Sequence, residues 1–208
     1  NLDRFDTFVT THKSQRKTWL SPGDGRLGFF RTGSNDQADA NDWVAFCFAC
    51  QKEAITCGFD RTVAAQLAAA MKELRSNIFE HSQAANTGLV AFDGTMGRLG
   101  LVVADRGVGV LRSLATLPEF YELADHGEAL RLALTDGVSR FGTESSRGYG
   151  FRDLFKGLAN LNGYLRFRSG DHALIMDGQS PSLISHRIAQ KAIINGFVIS
   201  IECLAGSR

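Results

Sequence analysis

The sequence carries no excess of charge of either sign. Its 208 residues hold 23 Lys plus Arg against 22 Asp plus Glu, a formal net charge of +1. So even a balance gives no field to hold nucleic acid or an anionic membrane, and neither is expected as a partner. No apolar run approaches the ~18 residues needed to cross a bilayer, and the mean hydropathy is -0.10. No charged stretch leads into an apolar one at the start, so no signal peptide is expected. Cysteine is scarce: Cys47, Cys50, Cys57 and Cys203. Cys47 and Cys50 form a CxxC, but no second CxxC or nearby histidine pair accompanies them. The pair therefore reads first as small hydrophobes on a buried helix face, with a zinc or redox site as the alternative. This cysteine usage fits a reducing compartment, and a cytoplasmic location is expected. No internal repeat or low-complexity tract is visible.

What is present is enough apolar content, 44%, for one well-buried core. Residues 1–26 are polar and mixed and read as a lead-in, with a turn cluster at Ser21-Pro22-Gly23-Asp24-Gly25, and residues 1–36 together read as an N-terminal extension. Leu27 to Arg31 is a candidate first strand. A helix is predicted from about Trp43 to Cys57, ended by Gly58. Asp60 can cap a second helix, from about Arg61 to His81. In that helix Val63, Leu67, Ala70, Leu74 and Ile78 recur at three- and four-residue steps. Strands are predicted at Gly88 to Phe92 and Leu99 to Ala104, around a hairpin-like turn at Asp93 to Gly97. Residues 106–147 read as a long lid with a short helix near Gly127 to Leu134. A helix is predicted over Gly150 to Leu161. Tyr164 to Arg168 and His172 to Met176 read as strands paired with each other, and Phe197 to Cys203 as the last strand. Residues 178–195 allow a short helix. Alternating βαβ units are absent. The pattern therefore predicts an α+β fold, a two-layer α/β sandwich with a mixed, mostly antiparallel sheet covered by helices on one face. Trp19 and Trp43 read as packing anchors, and Arg75 and Glu80 as charges on the helix surface.

Three constellations carry chemistry. Glu73, Asn77 and His81 stand at i, i+4 and i+8 of the second helix, so they share a face, read as lying opposite the apolar stripe. An Asn carbonyl oxygen suits Mg²⁺, a hard cation that takes its other ligands from water and triphosphate. Glu73, one turn earlier, can polarise a hydroxyl or water for attack. Asp105-Arg106-Gly107-Val108-Gly109 follows the strand that ends at Ala104. A carboxylate held at a strand end can accept a hydrogen bond from the exocyclic amine of adenine, and guanine's carbonyl would be repelled there. The glycines let the backbone approach the base. Ser145-Ser146-Arg147-Gly148-Tyr149-Gly150-Phe151 leads into a predicted helix. N–H groups freed by such turns, at a helix start, favour phosphate oxygens. Each constellation taken singly is also an ordinary solvated helix face, turn or helix-start loop. In this order they supply metal and base, purine reader and phosphate cradle.

In these motifs the chain resembles the GHKL ATPase superfamily, which has the Bergerat fold and includes gyrase, chaperone, histidine-kinase and anti-sigma-factor kinase members. Glu73 to His81 is similar to its N box, Asp105 to Gly109 to its G1 box and Gly148 to Gly150 to its G2 box. The resemblance covers about residues 37–203 and implies a histidine-kinase-like ATP-binding domain over residues 37–208. The Glu-x-x-x-Asn-x-x-x-His form looks most like the anti-sigma-factor serine kinases. The resemblance implies ATP and Mg²⁺ as cofactors, with Asn77 on the metal and Asp105 on adenine. It places Gly107 and Gly109 under the base, and Arg147, Gly148, Tyr149 and Gly150 on the phosphates. His81 joins the nucleotide site, and Glu73 is the catalytic base. The sequence departs from the family pattern in three places. Ser146 stands where many histidine kinases have another glycine. Phe197 follows Gly196 where several members carry Thr, unless Ser200 replaces that contact. The lid is longer than in the compact anti-sigma kinases.

The expected activity is that of a protein kinase of anti-sigma serine/threonine type, or a related signalling ATPase acting with a protein partner. Three alternatives stand beside it: the catalytic fragment of a histidine kinase, an ATP-gated clamp, and a non-enzymatic regulatory module. Clamp members dimerise on ATP, so a homodimer is among the expectations.

Overall fold

A computed structural model of the chain describes residues 17–34, 37–134, 163–176 and 187–206. Six strands form one sheet: β1 (Thr18–Leu20), β2 (Leu27–Arg31), β3 (Leu89–Thr95), β4 (Arg98–Asp105), β5 (Tyr164–Met176) and β6 (Arg187–Leu204). Their order is β1-β2-β3-β4-β6-β5, and every neighbouring pair is antiparallel. The parallel component of the expected mixed sheet is therefore not found among the described strands. Among the described residues four α-helices accompany the sheet: α1 (Ala40–Thr56), α2 (Arg61–His81), α3 (Gly109–Leu114) and α4 (His126–Leu132). The result is an α+β, two-layer arrangement.

The strands alternate because their side chains have period two. Along β4, Leu99, Leu101 and Val103 face inward and are buried; across the register, Ile199 and Ile201 of β6 stand opposite Val103 and Leu101. α1 lays Trp43, Phe46, Cys50 and Ala54 on this face, and α2 lays Leu67, Met71, Leu74 and Ile78. Fully burying one such large side chain contributes ~2–3 kcal/mol, so these two stripes fix the layer. α2 starts where Asp60 accepts the N–H of Val63 at 2.9 Å.

Several local readings change. Residues 18–20, inside the stretch read as a lead-in, supply β1, which pairs with β2, the strand expected at Leu27 to Arg31; β2 in turn pairs onto β3. β1 is three residues long, too short to show a period. Tyr164 to Arg168 and His172 to Met176 do not pair with each other. They form the single strand β5, and both halves pair with β6. Ser169-Gly170-Asp171, which has the composition of a turn, is instead a bulge with register shifts on both sides of Gly170 (φ 59°). β6 begins at Arg187, so part of 178–195 is strand; residues 177–186 lie outside the described residues, as do 135–162 with the predicted 150–161 helix. The described part of the predicted lid is anchored: Ala129, Leu130, Ala133 and Leu134 join the core with Leu174 and Met176 of β5.

Candidate functional site

Strand parity places Asp105 on the inward face of β4, next after Val103, with 3% exposure. Its Oδ1 accepts the N–H of Gly107 at 2.8 Å, and Phe197 stands opposite it on β6. Its Oδ2 is buried and has no hydrogen-bond partner among the described residues. Burial pushes the carboxyl up to about pH 6, against the opposing pull of the Gly107 backbone N–H. At neutral pH it remains mostly an anion with one uncommitted acceptor oxygen.

The backbone around it admits no side chains. A Cβ on Gly196 (φ 73°) would overlap the Asp105 carbonyl and carboxylate, and one on Gly107 would overlap the Ser82 carbonyl. Val108 N–H donates to that same Ser82 carbonyl at 2.9 Å. Ser82 caps the C-terminal end of α2, so the turn after Asp105 is bonded to the helix that carries Asn77 and His81.

The three polar residues of α2 do not sit alike. Glu73 is exposed, Asn77 is 8% exposed and His81 is half-buried. Four helical residues advance about 40° beyond a full turn, so the row winds from solvent toward the core. The expectation that all three lie opposite the apolar stripe is therefore corrected for Asn77. The Asn77 Nδ2 is buried without a hydrogen-bond partner among the described residues. His81 Nδ1 lies 3.4 Å from Ser113 Oγ on α3, and its Nε2 lies 3.9 Å from the Glu80 carboxylate. Arg75 is no surface charge: it is buried, with its guanidinium 4.5 Å from the Trp43 ring centroid and 4.8 Å from that of Phe79.

Ser169 escaped the sequence reading, and Gly196 entered it only as the residue before Phe197. Ser169 is 2% exposed; its Oγ accepts the Val110 N–H at 2.9 Å and donates to the Gly196 carbonyl at 2.9 Å. It faces inward, opposite Phe197. Only the family-like Gly196 hinted at this corner, since Ser169 sits in a stretch that reads as a turn. Ser200 does not replace the missing Thr. It pairs with Val102, one residue out of phase with the Asp105 face, and lines a separate cavity of about 580 Å³ with Ala91, Gly100 and Arg166. Glu73, Asn77, His81 and Asp105 are not among the residues lining that cavity. Arg147, Gly148, Tyr149 and Gly150 lie outside the described residues.

The arrangement can read a hydrogen-bond donor at Asp105 and offer an amide at Asn77. Among the described residues no group of three or more His, Cys, Asp or Glu side chains could hold a metal ion. A cation at Asn77 would thus need oxygens from elsewhere, as Mg²⁺ on a polyphosphate has them. The cysteines are chemically quiet: burial pushes the Cys47 thiol up to about 11 and those of Cys57 and Cys203 up to about 12, and raises Cys50 as well. No described helix is long and apolar enough to cross a membrane. Comparison with models of known protein families and with curated proteins gives no match.

Proposed function

We propose that this domain binds ATP with Mg²⁺ and uses it as a signalling kinase of the anti-sigma serine/threonine type. One observation carries the nucleotide reading. Asp105 is buried at a strand end with one oxygen taken by the Gly107 N–H and the other without a partner among the described residues. Leaving a buried acceptor unmet costs ~1–3 kcal/mol, a cost that a donor on a ligand would remove. The exocyclic amine of adenine is such a donor. Guanine would set its carbonyl against the carboxylate.

The residues present fit the implied group. Asp105 would accept from the base, while Gly107 and Gly196 keep side chains out of its surroundings. Asn77 would give its carbonyl oxygen to Mg²⁺; turning the amide about its last bond exchanges which end faces the ligand. Bound ATP supplies a transferable γ-phosphoryl group. Glu73, exposed one turn before Asn77, is open to a hydroxyl on a docked protein and can take its proton. The Bergerat fold is part of this proposal; the antiparallel sheet with helices packed on it supports it.

The exposure of Glu73 also favours a second reading. A base kept in water is weakly activated, which suits a regulatory module that binds ATP and docks a partner without transferring phosphate. Calorimetry with Mg·ATP and Mg·GTP tests the shared premise. Binding of ATP but not GTP is expected, and no heat at millimolar ATP would end the proposal. Labelled ATP with protein substrates then separates the two readings, because only the kinase loses transfer on Glu73→Ala.

A further inference from the structure

We propose that the face of the sheet turned away from α1 and α2 carries a second ligand site, which takes a small molecule with an apolar body and a single carboxylate. The site is the cavity of about 580 Å³ that Ser200 lines. It lies across the sheet from Asp105, so the inference is independent of the nucleotide reading.

Strand parity and register build the cavity. Along β4, Leu99, Leu101 and Val103 turn toward the helices, so Gly100 and Val102 turn away. Two rows of residues then cross β3, β4, β6 and β5. Ala91, Val102, Ser200 and Arg166 stand in register in one row, and Asp93, Gly100, Glu202 and Tyr164 in the next. All of them line the cavity. Its floor is low in the middle, because Gly100 has no side chain and those of Ala91 and Val102 are short. Neighbouring strands lie ~4.8 Å apart, so each row is ~14 Å long. The volume falls within the ~300–1,000 Å³ of small-molecule sites.

The polar groups at its two ends select the ligand. At the β5 end Arg166 is exposed and makes no hydrogen bond or ion pair among the described residues. Nor does the hydroxyl of Ser200, which stands opposite it. Glu202 is already held by Arg98 at 3.3 Å. That pair is neutral and leaves Arg166 as the cation to be matched. A guanidinium presents parallel N–H donors in the geometry of a carboxylate, and a serine hydroxyl can donate beside it. At the other end Asp93 stands on β3, three strand spacings from β5. Its negative charge turns an anionic head toward Arg166. Between the two ends Leu27, Ala91 and Val102 offer apolar surface. One cation matches one negative charge, and a phosphate monoester, with about two, exceeds it.

The test is calorimetry with octanoate, and with octanol as the same chain without the charge. It compares wild type, Arg166→Gln, Arg166→Lys and Gly100→Ile. Gly100→Ile fills the cavity: a Cβ there meets only the Asp93 carbonyl oxygen, at an ordinary 3.6 Å, and a β-branched residue suits a strand. Octanoate is expected to bind wild type, and to bind Arg166→Gln at least about tenfold more weakly, as for one lost charge-assisted hydrogen bond. Arg166→Lys, which keeps the charge, is expected to lie between them. Octanol is expected to bind wild type no better than octanoate binds Arg166→Gln. Gly100→Ile is expected to abolish the octanoate heat at an unchanged melting temperature. No octanoate heat from wild type at millimolar concentration overturns the site. So does an unchanged affinity in Arg166→Gln or in folded Gly100→Ile, which would put octanoate elsewhere. Arg166 is exposed, so its variants decide the matter even if Gly100→Ile does not fold.

Discussion

Among the described residues Asp39, Glu53 and Asp105 are buried carboxylates, and the last two stand at opposite ends of the hairpin made by β3 and β4. Glu53 of α1 is 5% exposed and packs beneath Gly94, near the hairpin turn. Asp105, 3% exposed, closes the other end. Both positions rely on a glycine to make room. Their partners differ. Glu53 takes the Cys57 thiol at 3.5 Å and contributes no buried atom without a partner. Asp105 is tied by the Gly107 backbone N–H on one oxygen and leaves the other unmet among the described residues. Burial alone therefore does not mark a binding carboxylate. The mark is an acceptor held rigidly and not used up by the protein.

The largest expected effect breaks the comparison directly. Asp105→Asn keeps one acceptor oxygen for the backbone and replaces the free one with a donor. Two donors would then face each other across the base contact. Mg·ATP affinity is expected to fall at least about a hundredfold, since an opposed buried polar pair costs several times a lost hydrogen bond. Glu53→Gln in parallel is expected to leave affinity within about twofold. Calorimetry on both decides it. Equal loss in the two variants would show that both act only through folding.

The two glycines provide the next test. A methyl on Gly196 meets the Asp105 backbone and carboxylate at φ 73°, where neither side can yield. Gly196→Ala is expected to destabilise the fold by about 2–4 kcal/mol, through overpacking and strain together. On Gly94 the methyl meets the Glu53 side chain from Cγ to the carboxylate and no backbone, so a side chain alone has to shift. Gly94→Ala is expected to cost about half as much or less. Urea midpoints at constant slope measure both.

A smaller effect follows from proton linkage. The folded Asp105 titrates at about 6 against 3.8 for an ordinary Asp. The folded state thus holds this proton more tightly than the unfolded chain. The resulting stability is fully present below about pH 4 and is lost as pH rises through about 6. The full shift corresponds to about 3 kcal/mol. The stability of wild type relative to Asp105→Asn should therefore fall between pH 4 and pH 7, as read from paired denaturation curves. Mg·ATP affinity should change the opposite way, rising through pH 6 as the carboxylate becomes the acceptor. A flat difference between the two proteins would place the carboxyl in water.

What the chain announces and what it conceals have separate physical causes. α2 was legible because a long helix repeats its apolar positions and Asp60 caps it. The β3–β4 hairpin was legible because Val90 and Phe92, then Leu101 and Val103, alternate around a Gly-containing turn. Asp105 was legible as a strand end followed by glycines. β1 was hidden by its length, and the bulge of β5 by turn-like residues that keep the strand going. Arg75 was misread because its spacing suits either face, and only the Phe30, Trp43 and Phe79 rings around it explain its burial. Ser169 was invisible because its bond to Gly196 depends on β6 being its neighbour, and pairing across 27 residues leaves no local pattern.

The smallest expected effect is the one that distinguishes strand parity from mere closeness in sequence. Ser200 stands four residues from Gly196 on the same strand, as the candidate to replace the Thr that several GHKL proteins carry. Yet it pairs with Val102, while Asp105 pairs with Phe197. Residues an odd number apart along a strand face opposite ways, so Ser200 lies across the sheet from the Asp105 carboxylate. Ser200→Ala is therefore expected to leave Mg·ATP affinity unchanged and to alter stability by less than about 0.5 kcal/mol. If Ser200→Ala weakened that affinity, the base would have to reach the other face of the sheet, and the acceptor role of Asp105 would have to be given up.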